Sequence, residues 1–391
     1  MRSFVLGDLV DIKGGGTPNR GEPSFWNGEV PWATVKDFKS TELSKTEDSI
    51  THQGVANSAT NIIPAGTIVV PTRMAVGKAA VTSVDMAINQ DLKALIIRDN
   101  SQVDQRYLLR FLLGKAQMLE GMAKGATVKG ITLDVLREIE VPLPPLAEQK
   151  RIAAILDKAD AIRRKRQHAI QLADEFLRSV FLDMFGDPAI NPKTWDKFPL
   201  GNLSVLGPDN GIFRKNEEYG EGLPVVWVEQ LYRDDVLDVS RSRQLSPTAK
   251  ELKKYGLNKG DIVFCRSSLK REGVGFNNIY DGDNERALFE CHMTRVRLDH
   301  KRVNPFFANY LLRMKNMRLH VIAQSKTVTM TTMDQDGISR IEVILPPKSL
   351  QDKFEQILRS IVVHKRKSAS LFWEANNAFL STSQRAFLGD L

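Results

Sequence analysis

The chain has 391 residues, of which 42% are hydrophobic and 26% charged, a balance that is typical of globular proteins and excludes disordered and fibrous classes. Lys and Arg number 55 against 47 Asp and Glu, and the formal charge of +8 favours a polyanionic partner, although solubility alone explains it as well. No apolar run approaches the roughly 20 residues of a membrane span, and two cysteines, Cys265 and Cys291, allow no disulfide framework, so we expect a cytoplasmic protein without a membrane partner.

Residues 1–144 mix strand and helix signals and predict a compact α/β module. Short β-branched runs at Thr67–Val70 and Ala94–Ile97 predict strands, and the first of them follows a turn at Gly66. The apolar segment Tyr107–Leu113 predicts a helix that begins after Asp104.

Residues 145–186 predict one long helix, because no Gly or Pro occurs between Pro145 and Gly186. Apolar side chains recur at alternating steps of three and four, which is the spacing of a coiled-coil seam. A polar break falls at Arg166, and the apolar series comprises Ile152, Ile155, Ala159, Ile162, Ala169, Ala173, Phe176 and Val180.

Residues 187–194 contain two prolines and predict a linker, after which the chain repeats itself. The segment 139–145 (IEVPLPP) reappears as 341–347 (IEVILPP), an offset of 202. Segments nearer the N-terminus match at an offset of 194, where 6–9 corresponds to 200–203 and 64–69 to 258–263. The second copy therefore carries a net insertion of about eight residues, which surface loops tolerate well.

The second copy predicts another α/β module at residues 195–346 and another long helix at residues 347–391. Strands are expected at Asp261–Phe264 and Thr294–Leu298, and a helix at Phe306–Met317 after the cap Asn304-Pro305. The seam of the second long helix is predicted at Phe354, Ile357, Ile361, His364, Ser368, Leu371, Ala375 and Ala378.

This duplication predicts an α/β (α+β) fold with pseudo-twofold symmetry, in which two long antiparallel helices join two mixed modules and form a coiled coil. The first helix ends at the second module and the second helix leaves it, so mutual packing buries both seams. About 38 residues, each rising 1.5 Å, give a rod of roughly 57 Å, longer than one B-DNA turn of roughly 34 Å. The alternative is that each helix packs on its own module.

Motifs that suggest catalysis have simpler explanations. Residues 304–307 (NPFF) resemble the Asn-Pro-Pro-Phe motif of adenine methyltransferases. A helix cap explains both Asn304 and its repeat mate Asp104, and no glycine-rich cofactor loop follows a strand. We therefore expect no catalytic residue, no metal and no cofactor site in this chain. The other candidate sets lack a matched repeat or the required spacing: Asp85, Asp91 and Lys93; Asp209, Glu251 and Lys253; Cys265, Cys291, His292 and His300; and the glycine run 14–18.

Basic side chains in predicted loops are the candidates for contacts with DNA. Arg and Lys neutralise phosphates and read guanine edges, although a solvated surface charge is the alternative for each of them. We expect Arg73 and Arg266 to read bases, since each follows a strand and a glycine turn. The candidate DNA-binding residues are Lys36, Arg73, Lys78 and Lys129, with Lys124 nearby, in the first module, and Arg214, Lys215, Arg266, Lys270, Arg271 and Lys326 in the second.

Several motifs occur along the chain: segment 141–152 (VPLPPLAEQKRI) and its echo at 344–347, Gly15-Gly16-Thr17-Pro18, Phe25-Trp26 and Val30-Pro31-Trp32, and Gly77-Lys78-Ala79 and Asn89-Gln90-Asp91. In this doubled order, they resemble the specificity (S) subunits of Type I restriction–modification enzymes over nearly the whole chain. The second module departs from the family pattern, because residues 207–211 (GPDNG) replace the Gly-Gly-Thr-Pro stretch.

The resemblance implies a non-catalytic DNA reader. Each module would be a target recognition domain for one half of an asymmetric bipartite site in double-stranded DNA. The helices would set the spacing and dock two methylation (M) subunits, which bind S-adenosylmethionine, while restriction (R) subunits with ATP and magnesium join to cleave. The alternatives are a stand-alone bipartite DNA-binding regulator and an enzyme that acts on nucleic acid by itself.

Overall fold

The computed structural model describes residues 2–125, 128–233, 235–327 and 331–388. The chain packs as two units, of which the first comprises Met1–Gln167 with Ala369–Leu391 and the second comprises His168–Ser368. Each unit therefore combines one α/β module with a segment of each long helix.

The first module contains three sheets, and short segments of chain connect their strands. The strands are β1 (Arg2–Val5), β2 (Val10–Gly14), β3 (Trp26–Ala33), β4 (Glu42–Leu43), β5 (Asp48–Ile50), β6 (Ile62–Ile63), β7 (Ile68–Pro71), β8 (Ala80–Thr82), β9 (Met86–Ile88), β10 (Leu92–Ile97) and β11 (Glu140–Leu143). The helices are α1 (Leu6–Leu9), α2 (His52–Ala56), α3 (Gln105–Gly114), α4 (Ala116–Met122), α5 (Leu133–Arg137) and the long α6 (Leu146–Phe185).

A five-stranded sheet in the order β2-β10-β7-β8-β4 forms the centre of the first module, and a four-stranded sheet in the order β5-β3-β9-β6 accompanies it. The main core lies between the central sheet, α3 and the long helices, where Ile68, Leu95 and Phe111 are buried with Leu156. Strand β11 pairs with β1 at the N-terminus, and α6 begins three residues later. The repeated IEVPLPP segment thus places the long helix at the edge of its module.

The second module is built in the same way, with short additional strands. The strands are β12 (Lys197–Pro199), β13 (Ser204–Asn210), β14 (Leu223–Val226), β15 (Gln244–Leu245), β16 (Ile262–Cys265), β17 (Ser267–Ser268), β18 (Asn277–Ile279), β19 (Leu288–Phe289), β20 (Met293–Leu298), β21 (Lys326–Thr327), β22 (Thr331–Thr332) and β23 (Glu342–Ile344). The helices are α7 (Ala249–Tyr255), α8 (Pro305–Arg313), α9 (Lys315–Ala323), α10 (Gln335–Ser339) and the long α11 (Lys348–Leu388).

The central sheet of the second module has the order β13-β20-β16-β18, which repeats the order β2-β10-β7-β8 of the first module. Strand β23 pairs with β12 just as β11 pairs with β1. The duplicated α/β fold predicted from the sequence is confirmed. One predicted element differs, because the helix expected at Phe306–Met317 is two helices, α8 and α9, separated by the extended backbone of Met314.

In the first unit, the N-terminal part of α6 packs against the C-terminal part of α11. Arg166 donates to the carbonyl oxygen of Leu371, and the Arg163 guanidinium lies 5.8 Å from the centre of the Phe379 ring. Residue numbers rise along one segment as they fall along the other, so the segments are antiparallel. Near the end of α11, the Phe387 ring lies 5.2 Å from that of Phe111 in the core of the module. The alternative that α11 packs only on the module that precedes it is therefore wrong.

In the second unit, the other two helix segments are also antiparallel. Lys365 Nζ lies 2.5 Å from a carboxylate oxygen of Asp174, and the Phe354 ring lies 5.2 Å from that of Phe181. Burial acts to lower the pKa of Lys365, but the carboxylates of Asp174 and Asp235 outweigh it and raise this pKa. The seam between the segments is thus partly ionic.

The predicted heptad register is correct at Ile152, but further along α6 the buried positions fall one residue later, beginning with Leu156 in place of Ile155. Ile152 is buried as predicted, whereas Phe176 is 58% exposed and the buried positions are Leu177 and Phe181. A straight α-helix turns once in 3.6 residues rather than 3.5, so a strict heptad drifts by about 20° per repeat. Ile162 is likewise exposed, because the seam there holds the ionic residues Asp160 and Arg163.

A buried glutamine joins the first long helix to its module. Gln149 Oε1 accepts a hydrogen bond from the backbone N–H of Asp104 at 2.8 Å, just before α3 begins. Its Nε2 donates to the carbonyl oxygens of Gln102 at 2.7 Å and Pro144 at 2.9 Å. One amide side chain therefore connects three backbone groups that the start of α6 would otherwise bury without partners.

The repeat mate of this residue makes the same bonds in the second unit. Gln351 Oε1 accepts from the backbone N–H of Asn304 at 2.8 Å, and its Nε2 donates to Pro346 at 2.7 Å and Arg302 at 3.5 Å. We call this arrangement the glutamine clamp.

We expect Gln149→Leu and Gln351→Leu each to lower the free energy of unfolding by about 2–3 kcal/mol, because buried donors and acceptors lose their partners while side-chain volume is kept. Chemical denaturation of the full chain, with hydrogen exchange at the Asp104 and Asn304 amides, measures the effect. The matched control is Gln167→Leu at an exposed position of α6, which should stay within about 0.5 kcal/mol. Equal effects of all three substitutions would contradict a role for the clamp.

Candidate nucleic-acid interface

Two loops at equivalent positions organise the basic side chains of the modules. The first exit loop (residues 72–79) follows β7 and leads to β8. Its backbone is held on two sides, because the N–H of Thr72 donates to Asp91 O at 2.8 Å and the N–H of Ile131 donates to Thr72 O at 2.9 Å. Further along, the N–H of Met74 donates to Lys129 O at 3.1 Å.

The second exit loop (residues 266–276) follows β16 and leads to β18. The N–H of Arg266 donates to His292 O, and the N–H of Met333 donates to Arg266 O, each at 2.8 Å. These bonds repeat those of Thr72, so Arg266 is the structural counterpart of Thr72, and the counterpart of Arg73 is Ser267. The two expected base readers thus occupy neighbouring rather than identical positions in the repeat.

In the first module, the exit loop brings Arg73 and Lys129 together. Single antiparallel bridges pair Gly130 with both Arg73 and Lys124, so all three basic residues lie around one glycine. Arg73 is more than half exposed, and its nearest carboxylate is that of Asp91 at 3.6 Å, a loose pairing that leaves the guanidinium accessible.

The other two candidates of the first module lie on two segments that a hydrogen bond joins. Lys78, in the same loop, donates from Nζ to the carbonyl oxygen of Phe38 at 3.2 Å. Lys36 is exposed on the short 3-10 turn that ends one residue before Phe38, and Thr34 and Asp37 cap that turn reciprocally. The first exit loop thus contains Arg73 and Lys78, and its hydrogen bonds reach the segments that carry Lys36 and Lys129.

In the second module, a small sheet in the order β17-β22-β21 carries the exit loop. Arg266, Lys270 and Arg271 are exposed on the loop, and Lys326 lies on β21 with its Nζ 2.8 Å from Asp334. The structure thus brings together four of the six candidates of this module around a single loop.

Arg214 is placed differently from the other candidates. It is largely covered and forms ion pairs with Glu251 and, at 3.3 Å, with Glu218. The hydrogen bond with Glu251 raises the pKa of Arg214. Lys215 is exposed beside it, and its backbone N–H donates to Glu218 at 2.8 Å. The charge of Arg214 is compensated within the module, which leaves Lys215 as the accessible cation of this pair.

The glycine run of the first module has a packing role that the sequence did not disclose. A Cβ atom on Gly15 would collide with the carbonyl oxygen of Ile88, and one on Gly211 would collide with that of Glu290. Gly211 thus takes the place of Gly15, so the second module keeps a glycine at this close approach although the rest of the opening pattern differs. The indole N–H of Trp32 donates to Gly16 O at 3.0 Å, so the aromatic residues of the motif hold the same backbone.

The acidic and polar residues that suggested catalysis have structural partners. Asn304 caps α8 by accepting from the N–H groups of Phe306 at 2.9 Å and Phe307 at 3.2 Å. The helix cap thus explains this motif, as predicted. Asp85 accepts from the N–H of Ala65 at 2.8 Å, and Asp209 pairs with Arg295 at 2.9 Å.

Three consecutive residues, Glu290, Cys291 and His292, bring a carboxylate oxygen, a thiol and a ring nitrogen within 4.8 Å of one another. Burial raises the pKa of the Glu290 carboxyl, and burial together with Glu290 raises that of the Cys291 thiol. Both shifts favour the protonated forms, which are poor metal ligands. The turn has a structural use, since His292 O accepts from Arg266 and positions the second exit loop.

Within the described ranges, the structure contains no helix that is both long and apolar enough to cross a membrane.

The chain matches known proteins along most of its length. A model of the Type I restriction modification DNA specificity domain matches residues 1–172 and again residues 192–369. The Type I restriction enzyme MjaIX specificity subunit of Methanocaldococcus jannaschii is 24% identical over 405 residues, which cover 95% of this chain and 90% of that protein. The EcoR124I/EcoR124II specificity subunit of Escherichia coli is 35% identical over 163 residues, 40% of each chain.

The fold also matches that of a solved structure. The crystal structure of the Type I restriction–modification S subunit from M. genitalium superposes with a TM-score of 0.61 at 14% identity, over 99% of this chain and 96% of that one. This likeness concerns the fold.

We expect Arg214→Ala to lower stability slightly, by less than about 1 kcal/mol, and to change affinity for duplex DNA less than twofold, because its charge is already compensated. Arg266→Ala, which removes an accessible charge, should weaken binding more. Hydrogen bonds from the backbone and side chain of Thr248 and from the side chain of Arg214 lower the pKa of Glu251. The stabilisation that the charged Glu251 gives to the fold is therefore present above the ordinary carboxyl pKa and is lost as the pH falls through the lowered value. The stability difference between Arg214→Ala and the unaltered chain should shrink accordingly in acid, as measured by thermal unfolding. A strong loss of DNA binding by Arg214→Ala alone would contradict this assignment.

Proposed function

We propose a division of labour within a chain that belongs to the Type I restriction modification DNA specificity family. The protein is a specificity subunit, and its two repeated domains match the recognition of a bipartite DNA sequence. In our proposal, residues 1–144 read one half of the site and residues 195–346 read the other. The observation that carries this proposal is the pair of exit loops, which have the same backbone frame and carry exposed Arg and Lys in both modules.

The exit loops supply two kinds of contact in this proposal. Exposed lysines such as Lys129 and Lys270 neutralise phosphates and place the module on the duplex without reading sequence. Arg73 and Arg266, at the start of each loop, read base edges in the major groove. Different loop lengths and side chains in the two modules then permit two unlike half-sites.

The long helices serve as spacer and as docking surface for partner subunits in this proposal. Several large apolar side chains on them are exposed, and such side chains favour a protein partner. They are Ile162, Trp373 and Leu380 in the first unit and Leu172, Phe176 and Val363 in the second. Two methylation subunits bind along these helices, and restriction subunits join the assembly in the cytoplasm.

The chain itself carries no catalysis in this proposal. S-adenosylmethionine belongs to the methylation subunits, and ATP and magnesium belong to the restriction subunits. Asn304 caps a helix, and Asp209 and Glu251 form ion pairs. These structural roles support this view. Copurification of the tagged chain with a methyltransferase, and loss of one methylated motif from the genome when the gene is deleted, test the proposal. Methyl transfer by the pure chain alone would contradict it.

We expect specificity to separate between the modules. Arg73→Ala should cost roughly 1–3 kcal/mol and relax one position of the first half-site only, and Arg266→Ala should do the same for the second. Lys129→Ala should instead weaken binding to all sequences and lower the salt slope by about one unit. Sequencing of methylated bases and binding at several salt concentrations measure these effects. A change at both half-sites after exchange of the first module alone would contradict the division.

We expect residues 1–186 alone to fold and to dimerise. In the full chain, residues 369–388 cover the first module, with Phe387 against Phe111. The segment 167–186 is the repeat mate of this cover and carries Phe185 in the place of Phe387, so a second copy can supply it. With methylation subunits, the dimer should methylate a symmetric site made of the first half-site twice. An unchanged asymmetric site would contradict this prediction.

A further inference from the structure

Two of the most exposed large apolar side chains of the described chain lie in the two exit loops. Met74 is 71% exposed in the first loop, and Leu269 is 87% exposed in the second. Scattered apolar residues on a surface need no explanation. Here, however, the same kind of side chain stands at nearly the same place in both modules, although the loops have different sequences.

The backbone at Met74 is held in an unusual conformation. Its φ of 66° lies in the left-handed region, which is unfavourable for a side chain such as Met. The hydrogen bond from its N–H to Lys129 O and that from Ala75 N–H to Arg73 O, at 2.7 Å, hold it there. A strained residue that points an apolar side chain into water gains nothing for the fold, which indicates a function.

Hydrogen bonds also hold the later part of the loop that carries Leu269. The partly buried Arg318 guanidinium donates to the carbonyl oxygens of Val274 and Gly275, each at 2.6 Å, and of Glu272 at 3.1 Å. The Tyr232 hydroxyl donates to Gly273 O at 2.8 Å. These bonds tie residues 272–275 to the rest of the module while Leu269 stays exposed, which is the arrangement expected of a pre-formed contact residue.

Both side chains stand among cations. Arg73 and Lys129 flank Met74, and Arg266, Lys270 and Arg271 flank Leu269, with Glu272 as the acidic neighbour of the second group. An apolar protein partner would leave these cations without partners in the contact. A nucleic acid engages both, because its phosphates and guanine edges bind the cations and its major groove offers one apolar group, the C5-methyl of thymine.

We propose that Met74 and Leu269 are specificity-determining residues, each of which packs on a thymine methyl group in its own half-site. This inference rests on the proposed reading of one half-site by each module. The flanking lysines hold the loop on the phosphate backbone, and Arg73 and Arg266 read neighbouring base edges. The apolar tip then distinguishes thymine from cytosine at one position, where the cytosine edge has no methyl group.

The test uses the full chain in complex with its methylation subunits and a duplex that contains the site methylated in the native strain. Each thymine is replaced in turn by deoxyuridine, which removes the methyl group and keeps base pairing. For the unaltered complex, we expect one replacement in each half-site to weaken binding about fourfold, the value for one buried methyl group. Leu269→Ala should abolish the effect in the second half-site only, and Met74→Ala in the first only.

Ile190→Ala is the matched control, since Ile190 is 75% exposed but lies in the linker. It should keep both deoxyuridine effects. Leu269→Met, which retains an apolar tip, should keep most of the effect in the second half-site, and thermal unfolding verifies that each variant is folded. Sensitivity to deoxyuridine that persists unchanged in Leu269→Ala and Met74→Ala, or its absence from the unaltered complex, overturns the inference. Failure of the unaltered complex to prefer its own site over other DNA would instead overturn the proposed function.

Discussion

The glutamine clamp is the contact on which the placement of each long helix depends. Where a helix leaves a module, its first turn and the preceding chain bury backbone groups that no regular element pairs. Gln149 and Gln351 satisfy those groups with one planar amide each. They bind the start of the long helix both to the preceding Pro-Pro segment and to the N-terminus of a shorter helix of the module, α3 in the first and α8 in the second. Because a buried unpaired donor or acceptor costs about 1–3 kcal/mol, only a side chain with both functions fits this place.

Beyond the clamp, the two units hold the helix on the module by different chemistry. In the first unit, Arg110 is buried between α3 and α6 and pairs with Asp157 at 2.7 Å and Asp160 at 3.0 Å. In the second, its repeat mate Tyr310 packs on Phe354 and on Phe181, with ring centres 5.1 and 5.2 Å away. A buried ion pair and an aromatic cluster are alternative solutions for one backbone frame. The two copies of the repeat thus keep one backbone arrangement, while their core side chains and their exit loops differ.

Local signals in the sequence predicted most of the elements but misjudged the seam of α6. The strands after Gly66 and Gly260 and the capped helices after Asp104 and Asn304 lie where turn and cap chemistry indicated. The seam of α6 was misjudged near Phe176, since a heptad count ignores the drift of a straight helix. The ion pair of Arg214 with Glu251 could not be read from the sequence, because the two residues lie 37 positions apart and only folding brings them together. The boundaries of the domains, the pseudo-twofold relation and the roles of the ten basic residues stay predictions.

The sequence by itself determined the duplication, the class of each module, the two long helices and the family, because these depend on patterns that neighbouring residues or a whole repeat display. Only the tertiary structure decided that Arg266 is the counterpart of Thr72, that Gly211 replaces Gly15, and that the end of α11 covers the first module. Those facts depend on hydrogen bonds and packing between segments far apart in the chain, such as Arg266 with His292 and Phe387 with Phe111. No local pattern encodes such contacts, since backbone groups of any residue type can make the first and any large apolar pair the second.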